Sequence, residues 1–208
     1  VSLQQESSPA YWDRQADSLA EARFAVWSVD PDDYDATTTK CVDLLRQLLP
    51  FDVRSVMEVG CGIGRLTLPI AEAFPGAEVY GIDFSVRLLE YAHQESYRRR
   101  LTDRVHFVCS PAQGPLPVFA LEAAYSVAVL QHVLRPTALA IIANVAHYLR
   151  PGGSLVIQTV YDREFEDEGH VPPAVVAEWF RLAGLVDVTQ ERGKIFPDWL
   201  WTVGRVRP

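Results

Sequence analysis

Cysteine is scarce and scattered in this 208-residue sequence: three residues, at positions 41, 61 and 109, with no CxxC pair. An odd, widely spaced set builds neither a disulfide framework nor a zinc site. No metal is therefore expected, and the usage fits a reducing, cytoplasmic compartment. Long apolar runs are missing too. No stretch reaches the roughly 18 apolar residues of a membrane span, and the opening "VSLQQESSPAYWDRQ" lacks a basic-then-apolar leader pattern. Basic charge is short: 19 Lys and Arg against 27 Asp and Glu, a formal charge of -8. The only basic run, Arg98 to Arg100, reads as a solvated helix end. Nucleic-acid backbones need clustered Lys and Arg, so no nucleic-acid or membrane partner is expected.

Periodicity organises the chain. Residues 1–50 read as a helical cap or lid: "YWDRQADSLAEARFAVW" has apolar residues at helical spacing. "TTTKCVDLLRQLLP" is an amphipathic helix after a Thr cap, and the polar "SVDPDDYDA" reads as the loop between them. From 51 to 208 the texture is that of a core. Short apolar strands ("SVMEVG", "AEVYGIDFS", "VHFVCS", "AAYSVAVL", "GSLVIQTVY") alternate with helices over 66–74, 86–100 and 138–149. A helix over 174–183 leads to "LVDVTQE" and a last strand, "WLWTVGRV". That alternation predicts a single α/β domain with a doubly wound, mostly parallel sheet and helices on both faces. Ligands of such sheets sit at the carboxyl ends of the strands.

The best-marked strand end is "VMEVGCGIGRLTLPIA", with Gly60, Gly62 and Gly64 between a strand and a helix. Glycine there admits positive φ and close approach of a ligand to the backbone. The helix N-terminus adds free N–H groups that suit a carboxylate or a phosphate equally. A dinucleotide fingerprint, G-x-G-x-x-G, would need glycine at 65, where the chain has Arg65. Asp83 ends the second strand and can accept both hydroxyls of a ribose. The plain alternatives are a tight turn for the glycines and a helix cap for Asp83.

Together "VMEVGCGIGRLTLPIA", "VYGIDFS", "AAYSVAVLQHV" and "LRPGGSLVI" resemble the successive motifs of class I S-adenosylmethionine-dependent methyltransferases of the small-molecule type. The likeness covers residues 53–160 well and the remainder loosely. It implies a Rossmann-like, seven-stranded sheet with its last strand antiparallel. It implies S-adenosyl-L-methionine as cofactor and S-adenosyl-L-homocysteine as product. Glu58 and the segment Gly60, Cys61, Gly62, Gly64 would hold the methionine part. Asp83 would bind the ribose, and Phe84 would pack on adenine. The loop after strand three departs from the family at Pro111, where many relatives have an acid. Ala112 N–H, with Ser110 or Gln113, would meet adenine there. The Val127 backbone would approach the methionine amino group, and Tyr11 and Arg65 its carboxylate.

His132, just beyond strand four, is the candidate general base, since imidazole titrates near neutral pH; packing against the next turn is the alternative. Gln131 would line the same pocket. Trp12, Trp27 and Tyr34 from the lid, and Tyr161, Asp162 and His170 after strand five, are candidate acceptor contacts. The expected activity is O- or N-methylation of a small molecule, with the oligomeric state left open. The alternatives are a cofactor-binding protein of the same fold without methyl transfer, a protein methyltransferase, or an NAD-dependent oxidoreductase.

Overall fold

In strand β1 (Ser55–Val59) every residue from Val56 onward is buried, which requires cover on both faces of the sheet. The computed structural model, which describes residues 8–26, 31–116, 118, 120–161 and 170–208, supplies that cover. The remaining strands are β2 (Glu78–Asp83), β3 (Val105–Cys109), β4 (Leu121–Ser126), β5 (Leu149–Val160), β6 (Leu185–Arg192) and β7 (Trp199–Val206). They form one sheet in the order β3-β2-β1-β4-β5-β7-β6. The pairs β1–β2, β1–β4, β2–β3 and β4–β5 are parallel. β7 runs antiparallel between β5 and β6. The expected sheet is thus present, with its last strand reversed.

Side-chain alternation divides the core into two layers. Val56 faces α3 (Pro31–Leu48), α4 (Thr67–Ala73) and α5 (Val86–Arg98) through Leu45, Ile70 and Leu89. Met57 and Val59 face α6 (Arg135–Tyr148) and α7 (Pro173–Leu182) through Ile142 and Phe180. The strand order reverses beside β1: β2 and β3 lie on one side, β4 on the other. A crevice opens at such a switch point, because the loops leaving β1 and β4 run to opposite faces.

The N-terminal segment departs from expectation twice. Its first helical stretch is broken into α1 (Pro9–Arg14) and α2 (Leu19–Val26). Ser18 starts α2 as a cap, accepting from Glu21 N at 3.2 Å and donating to the Glu21 carboxylate at 2.8 Å. The residues read as a loop over 28–36 are helical from Pro31 onward. A proline at the first helical position followed by acidic residues suits a helix start. The threonines read as a cap lie inside α3, where Thr38 and Thr39 hydroxyls donate back to the Tyr34 and Asp35 carbonyls.

Candidate active site

β1 delivers the chain to Gly60, Gly62 and Gly64, whose φ angles are +73°, +52° and +78°. These left-handed values strain any residue with a side chain. At Gly60 the space is closed as well: a Cβ would stand 2.3 Å from Val129 Cγ2. The N–H groups of Gly60 and Cys61 donate to the Ile82 carbonyl at 2.8 and 3.0 Å, bending the loop over the end of β2. Asp83 closes the clamp. Its Oδ2 accepts from Gly62 N at 2.8 Å and its Oδ1 from Ser85 N at 2.9 Å. Burial pushes the Asp83 carboxyl pKa up, while the N–H donors of Ser85, Gly62 and Phe84 oppose the shift. Ser85 is the cap of α5, its Oγ accepting from Leu88 N at 3.2 Å. The capping role considered for Asp83 therefore falls to Ser85.

Glu58 sits beneath the loop, 3% exposed. Its Oε2 accepts from the Thr67 hydroxyl and, at 3.2 Å, from the Tyr125 hydroxyl. Burial raises the carboxyl pKa to about 7, against the pull of these donors and of the Arg65 charge.

The opposite wall comes from the end of β4. Ser126 Oγ donates to the Val59 carbonyl at 2.9 Å, tying β4 to β1. Val127, Ala128 and Val129 lead into a short 3-10 turn, Leu130–His132. Trp12 of α1 stands edge-on to His132, ring centroids 5.2 Å apart at 83°. α1 is held by Asp13, whose Oδ1 accepts from Ser85 Oγ at 2.6 Å and from Arg87 N at 3.3 Å. Arg87 also donates to the Asp13 carbonyl at 3.2 Å and pairs with Asp17. Between loop, strand ends and α1 lies a cavity of about 660 Å³, counted to its open mouth. It is lined by Glu58, Gly60, Cys61, Gly62 and Arg65 at and after β1, by Asp83 and Phe84 at the end of β2, by Val127 and His132 after β4, and by Trp12 of α1. Leu88, Ala128, Val129 and Val133 complete the wall and were not anticipated.

Residues 56–153 match a family described as "Methyltransferase domain". An O-methyltransferase of Penicillium expansum, cnsE, is 34% identical over 168 residues, covering 73% of this chain and 59% of that protein. Residues 56–153 therefore form a methyltransferase domain like those of the class I S-adenosylmethionine-dependent enzymes. A tRNA N(3)-methylcytidine methyltransferase of Schizosaccharomyces pombe, trm141, is 29% identical over 165 residues, 66% of either chain. The chain thus spans about three fifths to two thirds of these two relatives. In fold it is similar to the [4+2]-cyclase SpnF, with a TM-score of 0.69 at 20% identity, over 81% of this chain and 80% of that one.

Within this methyltransferase fold the other anticipated residues among those described lie outside the cavity wall. Tyr11 stands edge-on to Trp12 at 5.4 Å. Gly64 packs inward, where a Cβ would meet Phe107 at 3.0 Å. Tyr34 lies on α3, with the Arg65 guanidinium 6.0 Å from its ring centroid. Arg65 also donates to Thr38 Oγ1 at 3.3 Å. Ser110, Ala112 and Gln113 belong to the loop after β3. Asn144 of α6 holds that loop, donating to the Ala112 and Gly114 carbonyls at 2.8 Å each. Gln131 has a buried Oε1 with no partner among the described residues. Tyr161 stacks under Arg192, 5.0 Å away, and the His170 carbonyl accepts from Arg135 at 3.2 Å. Trp27 and Asp162 lie outside the described residues. Among the described residues, no three His, Cys, Asp or Glu side chains gather as a metal site, and no helix is long and apolar enough to cross a membrane.

Proposed function

We propose that this chain transfers the methyl group of S-adenosylmethionine to an oxygen or nitrogen of a small-molecule acceptor. The observation that carries the reading is the shared cavity: the Asp83–glycine clamp lies on one side and His132, facing Trp12, on the other. The residues fit the cofactor. The positive-φ glycine loop leaves room for a ligand against backbone, and Asp83 keeps acceptor capacity for a hydroxyl beyond its N–H bonds. Asp83 holds the ribose, Phe84 and Leu88 pack the base, and Glu58, Arg65 and the Val127 backbone face the methionine end. When bound, the cofactor supplies an electrophilic methyl group, and the C–S electron pair leaves with sulfur. His132 accepts the proton that the acceptor's O–H or N–H releases as the new bond to carbon forms. Trp12 excludes water above it, and much of the acceleration comes from holding the acceptor in line.

The test is S-adenosylhomocysteine release during incubation with S-adenosylmethionine and a panel of small hydroxyl, carboxylate and amine acceptors. His132→Ala lowers turnover by about 10²-fold or more, the usual contribution of a positioned base, at unchanged S-adenosylhomocysteine affinity. Tight cofactor binding with no product from any acceptor would favour a fold-sharing protein of other chemistry, since fold does not fix reaction. Full activity of the variant would leave His132 only its packing against Trp12.

A further inference from the structure

We propose that Gln158 of β5 is the positioning residue for the methionine end of the cofactor, acting through the backbone of Ala128. The proposal rests on the reading, given above, that the Val127 backbone meets the methionine amino group.

Ala128 lines the cavity with φ at +59°, in the left-handed region that residues with a Cβ rarely adopt. Something must hold it there. Its N–H donates to Gln158 Oε1 at 2.7 Å. A backbone N–H can only donate, so the Gln158 amide has one orientation: oxygen toward Ala128, nitrogen away. Gln158 is fully buried, and its Nε2 has no hydrogen-bond partner among the described residues. A leucine there would fill the same space with no unmet donor, so for packing alone glutamine is the poorer choice. What it contributes is the bond to Ala128.

The segment is fixed from its other sides too. Ser126 ties its start to the Val59 carbonyl, and Val129 presses against the bare Cα of Gly60. Val127–Val129 is thereby wedged between β5 and the glycine loop. Asp83 has its own donors, Gly62 N and Ser85 N, and shares none with Gln158. The two ends of the cofactor therefore answer to different residues.

That separation sets the experiment. S-adenosylhomocysteine and 5′-methylthioadenosine share the nucleoside and the sulfur, but only the first carries the amino-acid end. Both are titrated calorimetrically into wild type, Gln158→Leu, Gln158→Met and Asp83→Ala. Either Gln158 variant binds S-adenosylhomocysteine at least tenfold more weakly and 5′-methylthioadenosine within twofold of wild type. Asp83→Ala weakens both. Adding Ala128→Gly to Gln158→Leu recovers part of the lost affinity, because glycine adopts positive φ without strain. Equal loss of both ligands, or unchanged S-adenosylhomocysteine affinity, would overturn the proposal. A wild type that binds neither ligand would overturn the cofactor reading beneath it. Should both Gln158 variants fail to fold, amide exchange decides: slow exchange at Ala128 is expected in the ligand-free wild type, and unprotected exchange rules the bond out.

Discussion

At the scale of single residues, Glu58 shows what burial does to a charge. An ordinary glutamic acid titrates near 4.5, and this one near 7. Between those values the folded chain keeps a proton that the unfolded chain has released. Stability therefore falls as pH rises through that window, and above pH 7 the full penalty stands, about 3 kcal/mol at most. Glu58→Gln removes the titration while keeping an acceptor for Thr67 and Tyr125. In urea unfolding of ligand-free protein, the variant should gain on wild type between pH 5 and pH 8; parallel profiles would show that Glu58 is not the titrating group. The carboxylate before the glycines was legible in the sequence, as were Asp83, Phe84 and His132. The partners of Glu58 were not, because Tyr125 lies 67 positions away and reaches it only across the paired strands β1 and β4.

At the scale of elements, α1 is the weakest piece: six residues, none of them buried. So short a helix is not stable by itself. Asp13 fastens it to the start of α5 by accepting from Ser85 Oγ and Arg87 N. Asp13→Ala should cost about 1 kcal/mol locally, in the range of a lost helix cap. Tryptic cleavage after Arg14 should speed up severalfold while the thermal midpoint of the sheet stays within a degree or two. Cleavage no faster than in wild type would mean that the Asp13 side chain does not hold α1 in place. Strands and core helices were legible to within a few residues, since buried apolar runs and periodicity mark them directly. The N-terminal segment was read less well: the break at Gln15–Ser18 depends on the Ser18 cap, which competes with periodicity in a polar segment, and the helix Pro31–Leu48 falls where polar residues read as a loop.

At the scale of the whole molecule, charge bears on the partner. The formal charge of -8 disfavours a polyanion, whereas the relative trm141 is a tRNA methyltransferase. Phosphate contacts release counterions and make binding steeply salt-dependent. Methyl transfer by this chain to a small acceptor should therefore change less than twofold between about 50 and 200 mM salt, and no tRNA should be retained in a gel-shift assay at either. Salt-sensitive methylation of tRNA would reverse the reading of the acceptor class.

By itself the sequence determined the α/β class and the two-faced sheet, because these rest on local periodicity; the reversed last strand followed only from the resemblance to a known family that its motifs carry. It also placed the glycine loop and Asp83, since each is marked by residue types within a few positions of its strand end. Tertiary structure alone decided which side chains meet. Asp13 and Ser85 are 72 residues apart, and Gln158 and Ala128 are 30 apart. Docking of α1 on the start of α5 brings the first pair together and strand order the second, and no local pattern encodes a hydrogen bond that forms only after those elements have packed.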